Sequence, residues 1–170
     1  MTKGQSPSIV YIGCSDSRVA ADTLFGKGPG SIFMHRNVAN TIPEDDLETA
    51  TVIQYAIEGL GIRDIVVSGH TYCGGIDAVL QNYDGLGQPI KRWLSPVNDI
   101  YQENKSYIDG LSDPYLKNRA LSQLNVLNVV RKINNMESVV NARNNSIPIN
   151  VYALLYLVEN GTFVDLEASS

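Results

Sequence analysis

Short apolar runs that end in turn residues recur along the chain, and they predict its strands. The first is Ser8-Ile9-Val10-Tyr11-Ile12, with the strand predicted over 8–13. The second is Ser31-Ile32-Phe33-Met34-His35, and Asp64-Ile65-Val66-Val67 lies in a third predicted over 63–68. These runs are continuous and rich in β-branched residues rather than alternating, which suits parallel strands covered on both faces. A longer apolar strand is predicted from Asn150 to Val158. Glu159-Asn160-Gly161 then turns the chain into a short strand from Thr162 to Leu166, and an Asn-Gly turn between apolar strands signals a hairpin.

Elsewhere the period of the apolar positions is helical. Val19 to Phe25 predicts a short helix or turn, followed by a loop over Gly26-Lys27-Gly28-Pro29-Gly30. Pro43-Glu44-Asp45-Asp46 predicts a helix start, because proline and acids suit a first turn. Leu47, Ala50, Ile53, Ala56 and Ile57 carry that helix to about Leu60, where Gly59 and Gly61 end it. A helix is predicted from Gly74 to Gln81 and a loop over 83–89. No strand is predicted from Tyr83 to about Asn145, where helices are expected near 91–108, 113–134 and 135–143. Asp113-Pro114 supplies an N-cap and a first-turn proline, and Leu121, Leu124, Leu127 and Val130 form a packing stripe. The order strand, strand, helix, strand, helices, hairpin predicts an α/β fold. Its central sheet is mostly parallel, flanked by helices, with an antiparallel C-terminal hairpin strand.

Composition narrows the functional classes. The chain has 170 residues, 44% hydrophobic and 18% charged, which fits a single domain over 1–170. A net charge of −5 argues against a nucleic-acid surface. No apolar run approaches the roughly 18 residues of a membrane span, so no membrane partner is expected. Met1 to Pro7 hold no apolar h-region. Two cysteines fit a reducing compartment. The expected localisation is cytoplasmic, or mitochondrial if the N-terminus is truncated.

The candidate chemistry lies just past the strand ends. Cys14 follows the first strand, and His70 and Cys73 follow the third within Ser68-Gly69-His70-Thr71-Tyr72-Cys73-Gly74-Gly75. Parallel sheets build their sites at the carboxyl edge of the strands, so the three side chains can converge there. One imidazole and two thiolates with a fourth position open is the donor set of a catalytic zinc. A His-x-x-Cys pair alone is equally a turn with a buried cysteine, and a Cys14–Cys73 disulfide is the competing arrangement. Asp16 and Arg18 follow Cys14 at alternate positions, which share a face in extended backbone. Arg18 would hold Asp16 ionised, and Asp16 would accept the hydrogen of a zinc-bound hydroxide to aim it at an electrophile. Two thiolate ligands should leave such a site less acidic than an all-histidine one, so activity should rise with pH. The remaining histidine, His35, is a candidate proton shuttle.

Cys14-Ser15-Asp16-Ser17-Arg18, Arg36-Asn37-Val38-Ala39-Asn40 and His70-Thr71-Tyr72-Cys73-Gly74-Gly75 resemble, in order, the three signature segments of β-class carbonic anhydrases. Val151 to Tyr156 is similar to the late strand of fungal members, and the resemblance covers roughly residues 4 to 166. It implies an enzyme that reversibly hydrates CO2 to bicarbonate and a proton, with one Zn2+ per chain. Cys14, His70 and Cys73 would be the metal ligands, and Asp16 and Arg18 the catalytic pair. It also implies substrate-binding positions at Gln5, Phe33, Tyr55 and Gly74. Some members close at low pH and bind bicarbonate in a second pocket, whose positions here are Arg36 and Tyr156. That pocket's tryptophan is replaced by Tyr11, which with Gln5 favours the permanently accessible type of site. Family members build their site at a dimer interface, so a homodimer or dimer of dimers is expected. They carry helices before the Gln5 segment, where only four residues stand here. Three other readings remain: a carbonyl sulfide or carbon disulfide hydrolase, a catalytically weak zinc-binding protein responsive to CO2 or bicarbonate, and a cysteine redox protein.

Overall fold

The computed structural model describes residues 4–167. Its centre is a five-stranded sheet of β1 (Ile9–Cys14), β2 (Ile32–Asn37), β3 (Asp64–His70), β4 (Asn150–Leu157) and β5 (Thr162–Asp165). The spatial order is β2-β1-β3-β4-β5. All neighbours are parallel except the hairpin of β4 and β5. The mostly parallel α/β sheet with an antiparallel C-terminal strand is therefore as expected. In the β1–β3 register Gly13 stands opposite Ser68, so both central strands end at the same edge, one with Cys14 and the other with His70.

Eight helices flank the sheet among the described residues. They are α1 (Ala21–Leu24), α2 (Leu47–Gln54), α3 (Gly74–Asn82), α4 (Gln88–Trp93), α5 (Ser95–Glu103), α6 (Lys105–Gly110), α7 (Pro114–Asn134) and α8 (Glu137–Asn144). None is long and apolar enough to cross a membrane. Against one sheet face, Val10, Ile12, Ile65, Val67 and Ala153 pack with Ile53 of α2, Val126, Val129 and Ile133 of α7, and Val139 of α8. Each such aliphatic side chain contributes roughly 1.5–3 kcal/mol when fully buried. At the carboxyl edge a second cluster joins Cys14 and Cys73 to Ile76, Leu94, Val97 and Leu121. The other face is thinner: Tyr11 and Val66 pack under Ala21, with Phe25, Met34 and Leu154 partly buried beside them.

Three boundaries differ from the sequence pattern. Residues 43–46 lie in a turn outside the helix, and α2 starts at Leu47 because the Asp46 side chain accepts from the N–H groups of Glu48 and Thr49. The helix then closes in a π-type turn over Tyr55–Gly59. The single helix expected near 91–108 is three helices. Pro96 has no N–H to offer the Arg92 carbonyl, which takes the Ser95 hydroxyl at 3.0 Å instead. The Asn104 side chain bonds the Ile100 carbonyl at 2.9 Å and ends α5. On α7 the predicted stripe packs as expected: Leu121 and Val130 are buried, and Leu124 and Leu127 are partly buried against the two core clusters. The buried face also carries Asn118, Ser122 and Asn125.

The crossing of α7 over β3 requires glycine at position 69. A Cβ there would lie 2.6 Å from Val126 Cγ2. We expect Gly69→Ala to lower unfolding stability by about 1–3 kcal/mol through overpacking. Adding Val126→Ala should make the double variant less destabilised than the sum of the two singles, as read by urea denaturation. Strict additivity would show that this contact is not what excludes a side chain.

Candidate metal centre

Each element delivers its side chain for a local reason. Cys14 closes β1, and the Ser15 N–H bonds the Asn37 carbonyl at 2.8 Å, which carries the chain past the strand end. His70 closes β3. Cys73 sits in extended conformation just before the first turn of α3, where the chain leaves the sheet for the helix. The ligand atoms of Cys14, His70 and Cys73 all lie within 4.8 Å of one another, and all three residues are buried.

The hydrogen bonds of this cluster leave one lone pair free. His70 Nδ1 donates to the Thr71 carbonyl at 2.9 Å, because a carbonyl can only accept. In the neutral ring the lone pair is then on Nε2, which is buried with no hydrogen-bond partner among the described residues. An orphaned buried acceptor is costly unless something fills its lone pair. The two sulfurs are 3.9 Å apart. Hydrogen bonding from Cys73, helped by His70, pulls the Cys14 thiol well below its usual range. The Cys14 sulfur and burial together push Cys73 up. A soft divalent cation would meet one imidazole nitrogen and two sulfurs, the donor set that zinc prefers, so the residues fit that ion.

Beside the cluster stands a forked ion pair. Arg18 Nε donates to Asp16 Oδ1 at 2.9 Å and Nη2 to Oδ2 at 2.7 Å, and the Arg18 N–H adds a third bond to Oδ1. The guanidinium holds the Asp16 carboxyl far below the ordinary carboxylate range. Asp16 Oδ2, an ionised acceptor, is 3.8 Å from His70 Nε2. Arg18 Nη2 also donates to the Tyr72 carbonyl at 3.0 Å.

A family model described as carbonic anhydrase matches residues 9–163 of the chain. The chain belongs to the β-class carbonic anhydrase family. Curated relatives named carbonic anhydrase include that of Emericella nidulans, 37% identical over 98% of this chain and 72% of its own length. The Candida albicans relative is 39% identical over 97% of this chain, which spans 58% of that protein. Among solved structures, one of two tetrameric β-carbonic anhydrases of Sordaria macrospora superposes with a TM-score of 0.93 at 32% identity. The match covers 98% of this chain and 83% of that one.

The other candidate positions of this family member fall in three places. Arg36 is bound to backbone: Nε donates to the Cys14 carbonyl at 2.7 Å and Nη2 to the Asp16 carbonyl at 2.6 Å. It braces the loop that carries both the ligand and the acid. Tyr156 pairs with His70 in the β3–β4 register, is buried, and packs its ring 5.1 Å from Phe163. Tyr11 is fully buried, and its ring lies where a Cβ on Gly13 would sit. Gly74 starts α3 beside Cys73 with open space at its Cβ position.

Gln5, Phe33 and Tyr55 are not brought to the cluster within one chain. Gln5 lines a surface cleft with Ser8, Lys27 and Gly30 at the amino end of β1. The length of β1, about 16 Å at ~3.3 Å per residue, separates it from Cys14. Phe33 is paired with Val10, four residues before Cys14, and its ring lies 5.9 Å from that of Tyr55. His35 turns toward the start of α2, where Nε2 lies 3.1 Å from the Thr49 hydroxyl.

Sequence reasoning missed Asn118. Its Nδ2 donates to the Cys73 carbonyl at 3.2 Å and to Asp77 Oδ1 at 2.7 Å, while its Oδ1 accepts the Cys73 N–H. Asn125, two turns on, donates to the carbonyl of Ala39, whose φ is +61°. The signal was visible as polar residues spaced by one turn on the apolar side of a long helix. Asn118→Ala leaves the Cys73 amide buried and unpaired, so we expect a loss of about 1–3 kcal/mol in unfolding stability. A urea midpoint equal to that of the parent would show that Asn118 does not hold Cys73.

Proposed function

We propose that the chain catalyses the reversible hydration of CO2 to bicarbonate and a proton, with one Zn2+ held by Cys14 Sγ, His70 Nε2 and Cys73 Sγ. The observation that carries this reading is the buried, unpartnered Nε2 facing two sulfurs and an ionised carboxylate. A zinc ion bound there supplies the Lewis acidity that makes water a nucleophile near neutral pH.

The chain's own residues do the rest. Asp16 is acceptor-only when ionised, and its Arg18 fork keeps it so. Its carboxylate accepts the O–H of the attacking water, so a lone pair rather than a hydrogen faces the CO2 carbon. Arg18 is itself tied to the Tyr72 carbonyl, which limits how far the pair can swing. Little reorganisation is then needed as charge shifts onto the CO2 oxygens, which is the basis of electrostatic preorganisation. The missing Cβ at Gly74 leaves room beside Cys73 for a small linear substrate.

Gln5, Phe33 and Tyr55 serve as pocket residues, in our reading, when a second copy of the chain contributes them. Self-association fits the relatives of known structure, of which the Sordaria macrospora pair is tetrameric. A homodimer or dimer of dimers would bring the amino end of one β1 to the carboxyl edge of another sheet. Arg36 and Tyr156 in this reading are braces of the ligand loop and the β3–β4 edge rather than a bicarbonate pocket.

Stopped-flow CO2 hydration, on protein with quantified zinc, should show turnover that rises from about pH 6.5 to about 9 and scales with zinc content. Full zinc occupancy without turnover across that range would falsify the proposal. Asp16→Asn should bind zinc as the parent does and lose on the order of 10²-fold in kcat, because an amide can turn a donor toward the water. An unchanged kcat would remove Asp16 from the mechanism.

A further inference from the structure

The loop between His70 and Cys73 presents two consecutive carbonyls to the metal centre. The Thr71 carbonyl accepts from His70 Nδ1 and so sets the plane of the imidazole. The Tyr72 carbonyl accepts from Arg18 Nη2 and so sets the ion pair with Asp16. Tyr72 has φ of +56°, a left-handed conformation that a non-glycine residue keeps only where its surroundings hold it. The residue is 45% exposed, so burial does not hold it.

Beside the bond from the Thr71 N–H to the Tyr156 carbonyl at 3.0 Å, the side-chain contacts that hold the loop meet at one carboxylate. Glu159, in the turn between β4 and β5, accepts the Thr71 hydroxyl on Oε2 at 2.7 Å and the Tyr115 hydroxyl on Oε1 at 2.5 Å. Tyr115 lies in the first turn of α7, and its ring rests 5.2 Å from that of Tyr72. The Thr71 hydroxyl also accepts the Val158 N–H at 3.0 Å. Glu159 therefore links the hairpin turn, the start of α7 and both residues of the loop.

We propose that Glu159 is a positioning residue for the metal centre. Through Thr71 it fixes the carbonyl that orients His70, and through Tyr115 it fixes the carbonyl that orients Arg18. This rests on the metal-centre reading above. The carboxylate touches neither ligand nor ion pair, so its effect runs through the loop. Outer partners that orient a ligating histidine are worth 10–100-fold in metal affinity or activity, and a partner one step further out belongs at the low end.

The test measures zinc affinity by chelator competition and CO2 hydration in zinc-replete protein, with melting temperature recorded beside both. Glu159→Ala should raise the zinc Kd about tenfold and lower kcat about tenfold, with KM unchanged. Thr71→Ser keeps the hydroxyl and should match the parent. Tyr115→Phe should add nothing further in the Glu159→Ala background, because its hydroxyl acts through the same carboxylate. If Glu159→Ala does not fold, Glu159→Gln, which keeps one accepting oxygen, should raise the zinc Kd and lower kcat relative to the parent by less than about tenfold. A variant at 159 that lowers only the melting temperature, with Kd and kcat those of the parent, overturns the proposal. A parent chain that holds no zinc overturns the metal reading and this inference together, whereas zinc binding indifferent to position 159 overturns this inference alone.

Discussion

Parallel pairing of β1 with β3 is the constraint on which the site depends. The two strands sit side by side at the centre of the sheet and end at the same edge, because Gly13 lies opposite Ser68. A slip of one residue would turn Cys14 or His70 to the other face of the sheet. Val10, Ile12, Ile65 and Val67 resist such a slip, since their side chains fill the layer under α2, α7 and α8. The packing energy of the core is thus what holds two candidate ligands from distant parts of the chain in reach of each other.

Around that edge the backbone is held mainly by side chains rather than by regular ladders. Arg36 grips the carbonyls of Cys14 and Asp16, Asn118 grips both polar groups of Cys73, and Asn125 grips Ala39. The turns that carry the ligands cannot satisfy their own N–H and C=O groups, and buried backbone must be satisfied somehow. Polar residues on the inner face of α7 meet that need at the expense of apolar contact. His70 Nε2 remains buried with no hydrogen-bond partner among the described residues. A site of this kind is preorganised by the same bonds that repair the backbone around it.

The sequence pattern was a good guide wherever one local rule dominated. Continuous apolar runs marked the strands, Asp113-Pro114 marked the start of α7, and Asn160-Gly161 marked the hairpin. It failed where two rules competed. Pro43 and three acids read as a helix start, but Asp46 is the residue whose side chain caps the helix, so the helix begins only at Leu47. The apolar spacing across 91–108 read as one helix, but Pro96 and Asn104 each interrupt the ladder. On α7 the leucine stripe was visible, yet the buried face is rotated to include Asn118, Ser122 and Asn125. Their partners lie far away in sequence, and no local window contains them.

By itself the sequence determined the α/β class, the parallel core and the residue types of the candidate metal cluster. It did so because strand periodicity, glycine turns and the scarcity of cysteine and histidine are properties of short stretches. Tertiary structure alone decided which atoms face one another. It showed that Nδ1 of His70 is occupied and Nε2 is not, and that Arg36 faces backbone rather than solvent. It also showed that Gln5 stands a strand's length from Cys14, and that a glutamate in the last turn reaches the loop behind the histidine. Hydrogen-bond direction and separation depend on how the sheet stacks residues tens of positions apart, and that information exists only once the strands have paired.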